Sequence, residues 1–297
     1  MTAPPEPPEP PAPTEGPAPR LTAVQLATFV ARGFLRFDSI IPHPLCAEAL
    51  REIETNARPG AFGAAAGDKP GDEKSRFAGR PLQQIWPDGA GIAALVRLPV
   101  VRGIIDSLLG PGALYDHHHA HTVEAQQRWS QPWHADAIID PRTAAFDIQL
   151  FFFFHDTPRE MGGTMILPGS HLRRVHESDI ARYQNFLGQL PTVCPAGSLL
   201  VCHHGIWHCG QPNHTRARRH MLKLRLNPSA PQRFAWTGVD GAAAAAVRDA
   251  LTTPEPWHGN EARLEIVNRL RLWRQLTGDQ TFDADHWLTR LELPPAP

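Results

Sequence analysis

The run Gln131-Pro132-Trp133-His134-Ala135-Asp136 places an imidazole and a carboxylate two residues apart. In an extended strand, positions i and i+2 point to the same face, so His134 and Asp136 can reach one ion without bending the backbone. A second histidine from another strand would complete two imidazoles and a carboxylate on one side of a metal. That set leaves the opposite positions open and suits non-haem Fe(II) in oxygen chemistry. A His-x-Asp pair also arises by chance, so the reading depends on what else the chain supplies. Candidates for the third ligand lie in Leu199-Leu200-Val201-Cys202-His203-His204-Gly205-Ile206-Trp207-His208. His208 stands at the end of that run, just before the turn at Cys209–Asn213. His204 shares the face of His208 if the strand is regular, and His203 points the other way.

Beyond the turn come Arg216, Arg218, Arg219, Lys223 and Arg225. A guanidinium fork near the metal could take a carboxylate through two charge-assisted hydrogen bonds, which is what an anionic cosubstrate needs. The run Tyr115-Asp116-His117-His118-His119-Ala120-His121 alternates as a strand, with its odd positions on one face. Cavity-lining or solvated histidines are a better reading there than a second metal; His121 is expected at the cosubstrate. His155 and His171 read as hydrogen-bonded structural residues. Phe151–Phe154 reads as buried core, with Phe152 able to wall the cosubstrate pocket.

These groups need a scaffold. Thr22, then Leu26, Phe29 and Val30 at helical spacing, predict a helix ending near Gly33. Phe34–Phe37 reads as a strand, Pro44 to about Asn56 as a helix, and 91–109 as another. Short apolar runs follow at 114–124, 131–137, 146–155, 164–167, 198–208 and 218–226. Helices followed by many short strands predict an α+β jelly roll with helices packed outside. Helical spacing returns at 242–251 and from Leu264 through Trp273 to Thr277, with Trp287, Leu288 and Leu291 expected to cap the fold. Residues 1–20, with nine prolines, read as a disordered tail, 21–230 as the core and 231–297 as a helical extension packed on it. The Gly- and Ala-rich segment 59–80 reads as a loop, either a plain connection or a lid.

Bulk properties exclude several classes. A formal net charge of -1 gives no general attraction to nucleic acid or acidic membranes. No apolar stretch reaches the roughly 18 residues of a membrane span, and no secretion signal opens the chain. Cys46, Cys194, Cys202 and Cys209 lack paired spacing, which suits a reduced cytoplasmic protein. Thirteen of the 16 histidines lie between His117 and His220, which places any metal chemistry in that third of the chain.

The segment Gly162-Gly163-Thr164-Met165-Ile166-Leu167-Pro168-Gly169-Ser170-His171-Leu172 resembles the signature of the phytanoyl-CoA dioxygenase family. His134/Asp136, Pro168–His171, His208, Pro212-Asn213 and Arg219 follow the family's motif order, and the resemblance covers about residues 21–227. It implies a double-stranded β-helix, with N-terminal helices on one sheet, that uses Fe(II), 2-oxoglutarate and O2. It implies His134, Asp136 and His208 as metal ligands, and the family's spacing selects Arg219 over Arg216 and Arg218 as the cosubstrate anchor. Met161-Gly162 departs from the family's usual Asn-Gly, which should alter a turn rather than the metal. Strand parity allows two readings. With Arg219 inward, Met221, Lys223 and Arg225 also face inward, and His220, Leu222, Leu224 and Leu226 face the helices. A solvated outer face would reverse these and put Arg218 inside; the apolar outer face expected under packed helices favours the first. Lys223 or Arg225 could then hold an anionic group of a small-molecule substrate. The expected activity is hydroxylation of an aliphatic C–H bond, with desaturation, ring closure or epimerisation as variants; Asp136 argues against halogenation. A cupin-like isomerase or lyase would leave Arg219 without a role, and a binding module would not need three ligands. No coenzyme A motif is present, and nothing in the chain reports an oligomeric state.

Overall fold

A computed structural model describes residues 18–55, 78–85, 91–136, 145–173, 175–233 and 243–279. The elements run α1 (Ala23–Arg32), β1 (Phe34–Phe37), α2 (His43–Thr55), α3 (Gly91–Arg97), α4 (Pro99–Leu109), β2 (Leu114–Val123), β3 (Ile148–Phe153) and β4 (Thr164–Ile166). They continue α5 (Glu177–Ala181), β5 (Leu190–Pro191), β6 (Ser198–His203), β7 (His208–Gly210), β8 (Arg219–Asn227), α6 (Ala244–Thr252) and α7 (Ala262–Thr277). Most of the tail at 1–20 and the loop at 59–80, with Trp287, Leu288 and Leu291, lie outside the described residues.

Local chemistry sets the ends of the first helix. Thr22 and Gln25 close a capping box at its start, and Gly33 ends it in the left-handed region at φ 76, donating to Phe29 O. A side chain at Gly33 would collide with the His171 imidazole. The helix expected over 91–109 is two helices. Pro99 is the first residue of α4, and Leu98 before it is extended at ψ 128, because proline bars its predecessor from helical geometry.

Two antiparallel sheets face each other. The larger has the order β1-β6-β3-β8-β2 and the smaller β5-β4-β7. His134 joins the smaller sheet through a single bridge to His208. Of the strand expected at 131–137, residues 131–136 give one bridge, at His134, and one further backbone bond, from Gln131 N to Gly210 O at 2.9 Å; residue 137 lies outside the described residues. The run expected at 198–208 is two strands: Ile206 N turns back onto His203 O around Gly205. That break sends β7 into the smaller sheet, so one continuous face shared by His204 and His208 does not exist. Crossing between sheets is what closes a sandwich over its core.

The larger sheet has two apolar faces. Ile148, Leu150, Phe152, Val201, Leu222, Leu224 and Leu226 pack outward with Phe29, Leu95 and Ile104 of the helices. Phe151, Phe153, Leu200, Cys202 and Met221 pack inward with Ile166 and Ile206. Both faces are buried, so β3 and β6 show no polar alternation. Helices α6 and α7 lie against α1. Trp257, just before α7, donates to Pro168 O at 2.7 Å, and Arg173 bonds Glu265 at 2.6 Å, which ties the C-terminal helices to the Pro-Gly-Ser-His turn. No helix among the described residues is long and apolar enough to cross a membrane.

Burial leaves a pH signature. It pushes the His171 imidazole down to about 3, and His203, stacked on Phe146 at 5.1 Å, well below its ordinary value of 6.5. The unfolded chain binds protons below about pH 6.5 that these folded sites refuse. Their contribution to stability is therefore complete above pH 6.5 and is lost progressively as pH falls toward 3. Calorimetric melting of the metal-free protein should show a midpoint that drops steadily below about pH 6.5. A midpoint independent of acid over that range would contradict it.

Candidate metal centre

His134 and His208 form a directly opposed antiparallel pair: His134 N donates to His208 O at 3.1 Å and His208 N to His134 O at 2.9 Å. Opposed residues project to the same face, and their rings lie 4.5 Å apart. Asp136, two positions along, turns to that face. Its Oδ1 lies 3.6 Å from His134 Nε2 and its Oδ2 3.7 Å from His208 Nε2. One ligand atom from each of the three residues lies within 4.8 Å of the others.

Hydrogen bonds present the imidazoles correctly. His134 Nδ1 meets Pro132 O at 2.9 Å and His208 Nδ1 meets Ile206 O at 3.1 Å. A carbonyl only accepts, so Nδ1 carries the proton in both rings and each Nε2 offers its lone pair inward. Burial pushes His208 down to about 4, against the pull of Asp136, so it is neutral at physiological pH. Burial also raises the Asp136 carboxyl, but His208, Lys223 and His134 outweigh it and hold the group well below the usual carboxylate range. Two imidazoles and one carboxylate are a donor set for a divalent first-row ion.

The motif residues support this arrangement. Ser170 Oγ accepts from Trp207 N at 2.8 Å and donates to Leu167 O at 2.7 Å, fixing the backbone just before His208. Asn213 Nδ2 donates to Ala217 O at 2.7 Å, and its Oδ1 accepts from Thr215 N at 3.0 Å, shaping the turn that leads to Arg219. Arg219 is 5% exposed, and its Nη1 donates to Met161 O at 2.5 Å and Gln211 O at 3.0 Å. Burial lowers it to about 10, so it stays charged, and no carboxylate of the described residues pairs with it. A buried cation in that state suits an anionic cosubstrate. Gly162, at φ 88, lets the backbone pass close: a Cβ there would meet Pro212 O and come within 2.7 Å of Arg219 Nη1. Gly162→Ala should lower the melting temperature and raise the KM for 2-oxoglutarate; unchanged values of both would contradict the crowding.

Several expected residues stand elsewhere. Phe152 packs outward against the helices, so it does not wall the pocket. Its neighbour Phe151 faces inward, 5.6 Å from the His208 ring. His203 and His204 are not ligands: His203 Nδ1 accepts from Gly205 N at 3.0 Å and His204 Nδ1 from Asp147 N at 3.0 Å. His121 does stand on the inner face, opposite Met221, and burial pushes it down to about 3. Lys223 and Arg225 also reach that face, but each has a carboxylate already. Lys223 Nζ bonds Asp136 at 2.6 Å, Arg225 Nη2 bonds Asp147 at 2.6 Å, and Arg225 Nε lies 3.1 Å from Asp116. Either would therefore have to share its carboxylate to hold an anionic substrate group. The Lys223–Asp136 pair had no signal in the sequence beyond strand parity.

Comparison with solved structures gives the same architecture. AviO1 from Streptomyces viridochromogenes Tue57 aligns with a TM-score of 0.52 at 16% identity, over 72% of this chain and 98% of that one. EctD from S. alaskensis, solved with 2-oxoglutarate and 5-hydroxyectoine, aligns at 0.54 and 15%, over 74% and 79%. HygX from Streptomyces hygroscopicus, solved with iron bound, aligns at 0.52 and 13%, over 71% and 88%. At these identities the likeness is one of fold. The class is the jelly-roll, iron(II)- and 2-oxoglutarate-dependent oxygenases, with O2 as the other cosubstrate. Residues 46–221, a span holding all three candidate ligands and Arg219, match the model for phytanoyl-CoA dioxygenase (PhyH). The chain belongs to that family. No curated protein matches the chain.

Proposed function

We propose that this oxygenase hydroxylates an aliphatic C–H bond of a small organic molecule, releasing succinate and carbon dioxide. His134 Nε2, His208 Nε2 and one oxygen of Asp136 would hold Fe(II), and the residues present fit it by donor type, tautomer and spacing. Bound iron, with 2-oxoglutarate and O2, supplies the oxidising power that no amino-acid side chain has. The chain's own residues do the rest. Arg219 receives the distal carboxylate of 2-oxoglutarate, and His121, opposite Met221 two positions along β8, flanks it. Phe151 and Met221 keep the inner face apolar around the site and exclude water. Retention of Asp136, a charged ligand, leaves no position for a halide and favours oxygen insertion.

One observation carries this reading: the three ligand atoms converge on the face of the fold that also holds Arg219, a buried cation with no carboxylate partner among the described residues. Purified protein given Fe(II), 2-oxoglutarate and air should form succinate, slowly without substrate and faster with it. No succinate under any substrate would exclude the reading and return a metal-dependent isomerase or lyase to consideration.

A further inference from the structure

Lys223 has a role that the ligand set alone does not reveal. It projects from β8 of the larger sheet, opposite Phe151 and His119, and spans to Asp136 on the side of the smaller one. Its Nζ donates to Asp136 Oδ2 at 2.6 Å, with side-chain exposures of 11% and 16%. Arg225, the next inward cation, is held by Asp116 and Asp147 and does not compete for this carboxylate. Lys223 also lies beyond the segment 46–221 that matches the family.

Both oxygens of Asp136 lie near an imidazole Nε2, at 3.6 and 3.7 Å, so the carboxylate is placed to offer one oxygen or both to an ion between the rings. The difference matters for an octahedral ion. With one oxygen bound, three positions remain, enough for the two donor atoms of 2-oxoglutarate and for O2. With both bound, one of those is lost. A hydrogen bond from the ammonium occupies Oδ2, and its positive charge opposes a dication on that side. Among the described residues, no lysine or arginine bonds Oδ1.

We propose that Lys223 is a positioning residue: it reserves Oδ2 of Asp136 and leaves Oδ1 as the single carboxylate ligand, keeping a coordination position open for cosubstrate. This rests on the iron reading given above. The test uses anaerobic protein loaded with cobalt(II), whose absorption bands report coordination number. Lys223→Met keeps the apolar stem and removes the charge. It should still bind cobalt, show a changed spectrum, and bind 2-oxoglutarate about tenfold or more weakly. Lys223→Arg should return both properties toward wild type. Wild-type spectrum and 2-oxoglutarate affinity in Lys223→Met would overturn the proposal. So would a Lys223→Met protein with native circular dichroism that no longer binds cobalt, because the ammonium would then be needed for ligation itself. If Lys223→Met does not fold, Lys223→Gln serves: its neutral amide should give an intermediate loss of 2-oxoglutarate affinity, and a wild-type value would overturn the proposal. Failure of the wild-type protein to bind cobalt would instead remove the iron reading, and this proposal with it.

Discussion

Asp136→Ala is expected to reduce succinate formation to the level of metal-free protein. The substitution takes away the only carboxylate among the three candidate ligands. Loss of an outer partner of a metal ligand already costs roughly 10–100-fold in affinity or activity, and loss of the ligand itself should cost more. It has a second consequence. Lys223, 2.6 Å from Asp136, would be left as a buried ammonium without its counter-charge. Breaking such a pair from one side costs on the order of 3–5 kcal/mol when burial is complete, and somewhat less here because both side chains keep some solvent contact. Asp136→Ala should therefore melt at a lower temperature than the metal-free wild type. The double variant Asp136→Ala/Lys223→Met should recover part of that stability and none of the activity. Full activity in Asp136→Ala would remove the carboxylate from the metal site.

Arg219→Leu is the other large effect. If this guanidinium takes the distal carboxylate of 2-oxoglutarate, truncating it removes one partner of a buried, charge-assisted pair, worth about 2–5 kcal/mol. At about 1.4 kcal/mol per tenfold, the KM for 2-oxoglutarate should rise roughly 30- to 4,000-fold. Metal affinity should change little, because Arg219 bonds Met161 O and Gln211 O rather than any ligand. Those two carbonyls lose a donor, so a modest drop in melting temperature is expected alongside. Arg219→Lys keeps the charge but not the planar fork, and should fall between the two. A KM within a few-fold of wild type in Arg219→Leu would mean the cosubstrate is anchored elsewhere.

How far the chain could be read before folding differs from residue to residue. Local chemistry was legible where one residue decides it: Thr22 and Gly33 bracket α1, and the fold class followed from helices preceding many short strands. His134, Asp136 and His208 were legible for another reason. Metal ligation demands particular donor types, and few other positions in a motif-ordered chain offer them. What failed depended on which strand lies beside which. Phe151 and Phe152 are both buried, so the Phe151–Phe154 run carries no alternation to say which faces inward. Only the register of β3 against β8, Phe151 opposite Lys223, decides it. Continuity from His204 to His208 failed because Gly205 breaks the run where the chain crosses between sheets. The partners of Lys223 and Arg225 come from Asp116, Asp136 and Asp147, all more than 70 residues away, and no spacing rule reaches that far.

Anaerobic titration of the Fe(II)-loaded protein with 2-oxoglutarate tests the central claim most directly, because chelation of the iron by its keto acid end gives a visible charge-transfer band. Wild-type protein should develop the band, Arg219→Leu only at far higher 2-oxoglutarate, and Asp136→Ala and His208→Ala not at all. A wild-type protein without the band, or an undiminished band in Asp136→Ala, would contradict the assignment of His134, Asp136 and His208 to the iron.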